Sequence, residues 1–322
     1  MPENKVSGQV ASRGIDYSLS ISSTTCIKGV FVVLIFLSHF CQYIDTNTIP
    51  YFEPYLFLRN IFGQLVVAPF LFYSGYGVME QIKEKGNNYV DSMPKKRIFK
   101  TWFHFALAIV IYLLISFYLR SGYSYTTILL SFIGWESLGN SNWYIFAILV
   151  MYICTYFSFK LLKDDRAVWA CFIFSLLYIV IMYFAKGGSW WYDTILCFPT
   201  GILVSYDKKR VACFMKKRCW AIIAFCLMAF GFRANIMMHE LLSVFFCFGI
   251  VLLCSYIKIE SFILLFLGKH AFEIYILQRI PMILLQKHMS GYAYMLTCLI
   301  VSVVLAILFK VVERKVDLVL KI

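Results

Sequence analysis

Long apolar segments recur along the whole chain and constrain its fold more than any other feature. A helix needs about 20 mainly apolar residues, with about 17 as a lower limit, to cross a bilayer. Ten segments approach that length: 27–44, 57–79, 102–120, 142–161, 168–184, 190–205, 219–232, 241–257, 262–284 and 292–312. Because backbone polar groups find no partners in lipid, each segment is predicted to be helical. The predicted fold is an all-α, polytopic integral membrane protein with about ten transmembrane helices.

The composition excludes a soluble fold. Hydrophobic residues make up 61% of the chain and charged residues only 15%, which is too few to cover a globular surface. The net charge of +13 would indicate nucleic-acid binding in a soluble domain. Here the basic residues lie between apolar segments, so their charge indicates membrane orientation, and no nucleic-acid partner is predicted. Membrane lipid is the expected surrounding.

Lysine and arginine are distributed unequally between the two predicted sides of the membrane. When the connecting segments are assigned alternately, 23 of the 30 basic residues fall on one side. The other side receives five, and two remain inside the ninth segment, Lys269 and Arg279. Cytoplasmic loops carry the excess of basic residues, so both termini are predicted to be cytoplasmic. We further expect a mobile polar N-terminus, 1–23, followed by one transmembrane domain, 24–322.

The first segment carries two ionisable residues, Lys28 and His39. Eleven residues at 1.5 Å rise separate them by about 16 Å and bring them back to nearly the same azimuth of a helix. A neutral imidazole near mid-membrane can act as a general base, and a lysine nearer the cytoplasm can hold an anionic substrate. The alternative for this segment is a histidine bonded to a neighbouring helix and a lysine that reaches the interface.

A proline and small residues interrupt the second segment between Ala68 and Gly77. Pro69 removes a backbone donor, and Ser74 and Gly75 permit the close approach of another backbone or a ligand. The pattern predicts a broken or kinked helix, with ordinary small-residue packing between helices as the equally consistent alternative.

Basic residues run directly into the third segment, over Pro94–Lys100. If the helix begins before Arg97, then Arg97 and Lys100 are neighbours on its surface and form a pair suited to phosphate groups. The alternative is that these basic residues only set the orientation of the chain in the membrane.

The ninth segment contains Lys269, His270 and Glu273 within one turn of each other. The favoured interpretation is an ion pair between Lys269 and Glu273, which reduces the free energy of inserting both. The alternative is that Glu273 orients a catalytic imidazole on another helix. The histidines and acids show no paired metal-ligand spacing, so no metal is predicted.

In their order along the chain, these motifs resemble the membrane-bound acyltransferase-3 family of bacterial O-acyltransferases. Lys28 and His39 resemble its R/K-x10-H pattern, and residues 72–76 are similar to its F-x-x-S-G-F/Y pattern. Three further stretches are similar to its R-x-x-R element, its Trp-Tyr/Phe-Phe/Leu helix opening and its L-G-K-x-S-Y-S-x-Y segment: 96–100, 141–145 and 267–275.

The chain departs from this family pattern at four positions. Lys100 stands in place of a second arginine, which keeps the charge but loses the bidentate geometry. Ala271 and Glu273 replace small or hydroxyl residues, and Gln278 stands where many members have histidine. These departures indicate a divergent subgroup.

The resemblance implies transfer of an acyl group, most often acetyl, from acyl-CoA to a hydroxyl of a surface polysaccharide or its lipid-linked precursor. It implies a multi-pass location in the bacterial inner membrane, acetyl-CoA as donor substrate, a glycan partner and no permanently bound cofactor. His39 is the expected catalytic residue, either as a base or as a covalent acyl carrier, with Glu273 beside it. The expected acyl-CoA-binding residues are Lys28, Arg97, Lys100, Ser74, Gly75, Tyr76 and Trp143.

The main alternative is a transporter of a glycan, lipid or small metabolite. In that interpretation a helix broken near Pro69 forms a mid-membrane site, and His39 and Glu273 carry protons. Such folds often show matching interruptions in two halves, and the sixth and seventh segments contain no counterpart of the Ser74–Gly77 pattern. A non-catalytic scaffold is the third possibility.

Overall fold

The computed structural model describes residues 20–44, 62–231, 234–257 and 259–322. All regular structure in these ranges is helical, which confirms the predicted all-α class. The predicted mobile stretch 1–23 and the beginning of the segment 57–79 lie largely outside the described residues.

Fourteen α-helices of very unequal length make up the described ranges. In chain order, α1 to α14 are Ile21–Phe40, Ala68–Lys85, Asn87–Met93, Lys100–Tyr118, Tyr125–Ser131, Trp143–Leu161, Asp164–Ala185, Cys197–Tyr206, Lys208–Gly231, Ile236–Tyr256, Phe262–Lys269, Ala271–Leu277, Arg279–Leu285 and Gly291–Leu320. Short 3-10 turns cover Gly63–Val66 and Ser189–Trp191, and a π-helical turn over Pro94–Phe99 joins α3 to α4.

Six helical stretches are long and apolar enough to cross a membrane, so the chain is a membrane protein. They are Ile21–Phe40, Asn87–Tyr118, Trp143–Leu161, Asp164–Ala185, Ile236–Cys254 and Gly291–Leu320. The other four predicted segments correspond to shorter or interrupted helices: α2, α8, α9 and the series α11 to α13. The number of about ten spans and the cytoplasmic termini therefore remain predictions.

The predicted break in the second segment is confirmed at Pro69. A 3-10 turn over Gly63–Val66 is followed, after Val67, by α2, which begins at Ala68 and has Pro69 in its first turn. A proline at that position removes an N–H group that has no intrahelical partner, and its fixed φ suits the start of a helix. From Ala68 to Lys85 the helix is uninterrupted, so the alternative interpretation, small residues that pack between helices, describes Ser74, Gly75 and Gly77.

Glycines allow two pairs of helices to touch through their backbones. Where α2 crosses α8, a Cβ atom on Gly75 or on Gly201 would overlap a carbonyl group of the facing helix. The crossing of α1 and α11 has the same reciprocal form, at Gly29 and Gly268. In lipid, where apolar surface gains little from leaving the solvent, such close packing holds helices together.

The ninth predicted segment is divided into α11, α12 and α13. His270 leaves the helical conformation, with φ −112° and ψ 12°, and its side-chain Nδ1 donates to the Phe266 carbonyl at 2.9 Å. The predicted Lys269–Glu273 ion pair is wrong, because these residues lie on opposite sides of this break. Glu273 instead pairs with Lys310 of α14, with 2.8 Å between Oε1 and Nζ.

We expect the α2–α8 crossing to depend on the absence of a side chain at position 75. Gly75→Ala places a methyl group against the α8 backbone, an overpacking that destabilises by about 1–3 kcal/mol. The Tm of the detergent-solubilised protein, followed by tryptophan fluorescence, should fall by several degrees. Gly77→Ala is the matched control, because a Cβ there meets no atom within 4 Å. An equal Tm for the two variants would contradict this account.

Candidate functional site

Two adjoining cavities lie within the helical bundle. The larger, which we name the His39 cavity, has a volume of about 720 Å³, and the smaller, the basic cavity, has a volume of about 300 Å³. Ile35 and Val67 line both, so the two cavities meet at these side chains. Lys28 and His39 lie on the uninterrupted α1, with Lys28 in the basic cavity and His39 in the larger one.

The His39 imidazole is held by two polar side chains from other parts of the chain. Its Nδ1 lies 2.9 Å from Nε2 of Gln278 and 3.3 Å from Oγ of Ser141. The Gln278 amide also donates to the Tyr275 carbonyl at 3.3 Å, so both of its N–H groups are used. Nε2 is therefore the ring nitrogen of His39 that these contacts leave for a substrate.

The Gln278 amide and the His39 tautomer are linked. With the amide nitrogen donating to Nδ1, a neutral imidazole carries its proton on Nε2. Rotation of the amide directs Oε1 at Nδ1–H instead, and Nε2 then becomes a lone pair. Oε1 is buried and has no partner in the described part of the chain. Gln278 therefore selects the tautomer of His39.

A short turn before α6 supplies further polar groups to the His39 cavity. Gly139 takes a positive φ of 97°, and the Asn140 Oδ1 accepts from the Leu138 N–H at 2.9 Å. This bond leaves the Asn140 Nδ2 buried and without a partner in the described residues. Trp143, at the start of α6, and Trp190 add aromatic surface to the same cavity.

Arg279 lines the His39 cavity, and sequence reasoning assigned it no role. Its Nε is buried without a partner among the described residues, and its guanidinium carbon lies 6.0 Å from the centre of the Tyr43 ring. An arginine inside a predicted span is a functional-site signal by itself, because its insertion in lipid is unfavourable. Ser141 and Asn140 are uncharged, so the sequence did not mark them as functional in the same way.

The basic cavity gathers positive charge from four separate elements. Its described lining contains one carboxylate, Glu273, and four basic side chains: Lys28, Arg97, Lys269 and Lys310. Glu273 is bound by Lys310, which also donates to the Lys269 carbonyl at 2.6 Å. Arg97 donates through Nε to the Tyr89 hydroxyl at 2.8 Å, which fixes its guanidinium at the cavity wall. The excess of cations suits an anionic ligand.

Lys100 lies apart from Arg97, so the predicted phosphate-binding pair does not form. Arg97 lies in the π-helical turn over Pro94–Phe99 and lines the basic cavity, whereas Lys100 begins α4 and is not among the described lining residues. Lys100 pairs with Asp317 of α14 at 2.6 Å, and the same carboxylate lies 2.9 Å from Nε2 of His104. Lys100 thus joins α4 to α14 instead of lining the cavity.

The remaining predicted residues divide between the cavities and the helix packing. Ser74 lines the basic cavity and bonds to the Tyr144 side chain, and Trp143 lines the His39 cavity. Gly75 and Tyr76 line neither cavity among the described lining residues. Gly75 lies at the α2–α8 crossing, and the Tyr76 ring is buried with its centre 5.4 Å from the Lys208 Nζ.

Glu273 is not the group that orients His39. Its carboxylate lines the basic cavity and contacts Lys310, whereas Gln278, more than one turn further along the chain, contacts the imidazole. The two side chains lie five residues apart, Glu273 on α12 and Gln278 at its C-cap, so the helical period directs them to different sides. Pro281, which cannot donate to the Leu277 carbonyl, contributes to the turn that follows at Gln278.

The chain was compared with protein families, curated proteins and solved structures. A family model described as an acyltransferase domain (Acyl_transf_3) matches residues 21–311. The match begins at the first residue of α1 and ends within α14, so it includes both cavities. No curated protein and no solved structure is significantly similar to the chain.

Proposed function

Because the chain belongs to the acyltransferase-3 family, we propose that it transfers an acetyl group from acetyl-CoA to a hydroxyl of a surface polysaccharide or its lipid-linked precursor. The observation that carries the proposal is the position of His39 beside the junction of two chemically different cavities. We place the protein in the bacterial inner membrane, with the basic cavity and both termini toward the cytoplasm.

The donor enters the basic cavity. The phosphate groups of CoA are anionic, and Lys28 and Arg97 offer charge-assisted hydrogen bonds to them, with Arg97 able to bind two oxygens at once. A volume of about 300 Å³ holds part of CoA rather than the whole molecule, so the adenosine remains outside. The thioester then lies at the shared wall formed by Ile35 and Val67, within reach of His39.

The acceptor occupies the His39 cavity. Its lining combines hydroxyl and amide groups with two indole rings, Trp143 and Trp190. Neutral polar groups bind the hydroxyls of a sugar, and aromatic faces cover its apolar C–H surfaces. The volume of about 720 Å³ accommodates more than one small ring.

His39 acts as the general base. Its Nε2 takes the proton of the acceptor hydroxyl while the oxygen attacks the thioester carbonyl carbon. The C–O bond forms, the C–S bond breaks, and the CoA thiolate takes the proton back from the imidazolium. Nε2 must begin as a lone pair, which requires the Gln278 orientation in which Oε1 accepts from Nδ1–H. In this role Gln278 is a positioning residue.

Arg279 and Asn140 supply donors for the charge that develops on the carbonyl oxygen. Both present buried N–H groups without a partner in the described residues, and an unpaired buried donor is unfavourable by about 1–3 kcal/mol. Donors that stand ready in a water-poor site stabilise an oxyanion without reorganisation. We therefore assign the oxyanion to these two side chains.

Two observations weaken the transporter alternative. Although the second segment breaks at Pro69, the small residues Ser74 to Gly77 lie inside the continuous part of α2, and Gly75 packs against α8. The proton-carrying role of Glu273 is also disfavoured, because its carboxylate is already paired with Lys310.

We expect His39→Ala to abolish acetyl transfer while binding of acetyl-CoA persists. Loss of a general base lowers the rate by about 10²–10⁴-fold. The assay is transfer of radiolabelled acetyl from acetyl-CoA to an envelope glycan extract, with equilibrium binding measured on the same protein. His270→Ala is the control, because His270 caps α11 and lines neither cavity among the described residues. Full transfer by His39→Ala would refute the role of His39.

Arg97 and Lys100 should differ in their effect on donor binding. We expect Arg97→Ala to raise the Kd for acetyl-CoA by about tenfold or more. Losing a charge-assisted hydrogen bond weakens the free energy of binding by about 1.4 kcal/mol or more. Lys100→Ala should leave the Kd within about twofold, because this lysine is paired with Asp317 outside the cavity. Equal effects of the two substitutions would show that the donor binds elsewhere.

Substitution of Arg279 should lower the rate of the chemical step. We expect Arg279→Gln to reduce kcat by about 10²-fold or more, with the Kd for acetyl-CoA nearly unchanged, as for removal of one oxyanion donor. Lys287→Gln, after the other end of α13, is a control for the loss of one positive charge in this part of the chain. A changed acceptor KM with unchanged kcat would assign Arg279 to acceptor binding instead.

A further inference from the structure

A third cavity adjoins the His39 cavity. Its volume is about 310 Å³, and we name it the Asp193 cavity. Gly63 and Gln64 line both cavities, so the two lie next to each other at the 3-10 turn that precedes α2. The basic cavity, by contrast, shares no described lining residue with the Asp193 cavity.

Asp193 lines this cavity and has an unpaired carboxylate oxygen. The residue is only 4% exposed, and its Oδ2 accepts a hydrogen bond from Oγ of Ser189 at 3.2 Å. Its Oδ1 is buried and has no partner in the described part of the chain. A buried carboxylate oxygen without a donor is unfavourable, so the arrangement indicates a ligand that supplies one.

His239 adds a second acceptor. Its Nδ1 lies 3.0 Å from the backbone carbonyl oxygen of Asp193. Because a carbonyl oxygen only accepts, a neutral His239 carries its proton on Nδ1 and keeps a lone pair on Nε2. The cavity therefore offers acceptor atoms from two side chains and both donor and acceptor atoms from the Gln64 amide.

The rest of the lining narrows the class of ligand. Five apolar side chains cover the remaining wall: Phe62, Leu65, Ala234, Ile236 and Leu242. The described lining contains no lysine or arginine, and the Asp193 carboxylate repels phosphate. A sugar ring fits this lining, because it supplies several O–H donors and apolar C–H faces and carries no negative charge.

The presence of serine, histidine and aspartate in one cavity does not make a hydrolytic triad. A triad requires the serine hydroxyl to bond to the imidazole and the carboxylate to bond to its other nitrogen. Here the Ser189 hydroxyl bonds to Asp193, and the His239 Nδ1 bonds to the backbone carbonyl of Asp193. The contacts are those of a binding site.

We propose that the Asp193 cavity binds a second, uncharged sugar unit of the acceptor, adjacent to the unit that is acetylated beside His39. The inference rests on the proposed transfer to a glycan. Two adjoining cavities then recognise two consecutive sugars, with Asp193 and His239 accepting hydrogen bonds from hydroxyl groups of the second. The preference for an oligosaccharide over a monosaccharide resides in this cavity.

The test measures how the reaction depends on acceptor length. The acceptors are mono-, di- and trisaccharide fractions of a partial hydrolysate of the host envelope glycan, with radiolabelled acetyl-CoA as donor. For wild-type protein we expect kcat/KM to rise at least about tenfold from mono- to disaccharide, since one or two buried hydrogen bonds supply about 1.4 kcal/mol or more. Asp193→Asn should reduce this ratio to about one.

A second variant and a control keep the test independent of folding. Ile236→Trp fills the Asp193 cavity from its apolar wall and should also remove the length preference. Asp91→Asn, an exposed carboxylate paired with Lys160, should keep the wild-type ratio. Acetyl-CoA binding and Tm verify that each variant is folded.

The outcomes separate this inference from the proposed function. A wild-type enzyme that acetylates mono- and disaccharides equally, or folded Asp193→Asn and Ile236→Trp variants that keep the length preference, would overturn the role of the Asp193 cavity alone. Folded wild-type protein that neither binds acetyl-CoA nor transfers acetyl would overturn the proposed function and this inference together.

Discussion

The arrangement of the site depends on the backbone contact between α1 and α11. Gly29 and Gly268 each lie against a carbonyl group of the facing helix, so neither position can carry a side chain. In lipid, where apolar surface supplies little force between helices, such close contact fixes their separation. The crossing brings Lys28 and Lys269 to one cavity. It also sets the position from which the chain continues toward Gln278, and thus the contact that holds His39.

One short helix of the ninth segment serves two cavities. Glu273 on α12 and Gln278 at its C-cap lie five residues apart, and the Gln278 N–H donates to the Ile274 carbonyl at 2.9 Å, so the helical period directs the two side chains to different sides. Glu273 consequently meets Lys310 beside the basic cavity, and Gln278 meets His39 in the larger cavity. Irregular backbone at membrane depth is tolerated where it lines a cavity, and the His270 side chain satisfies one of the carbonyls that the break releases.

The sequence predicts the elements of this protein better than their partners. Apolar length and helical period identify α1 and place Lys28 and His39 on it, because both depend on local geometry. Glu273 is bound by Lys310 of α14, and His39 is held by Gln278, between α12 and α13, and by Ser141, before α6. The approach of these partners depends on packing that no local pattern encodes. Arg97 and Lys100 fall in different elements, the π-helical turn and α4. The rule that about 20 apolar residues form one membrane span also assumes a continuous helix. It therefore cannot distinguish a span from the interrupted series α11 to α13.

In the proposed reaction, the charges of the three cavities separate the donor from the acceptor. The excess of cations in the basic cavity suits a phosphate-bearing donor, while the carboxylate of Asp193 disfavours the same donor in the third cavity. An uncharged sugar experiences neither effect strongly, so we assign it to the two cavities without that excess. His39 and Arg279 line the cavity between these regions, where the proposed oxyanion develops. This order of charges favours the donor on one side of His39 and the acceptor on the other.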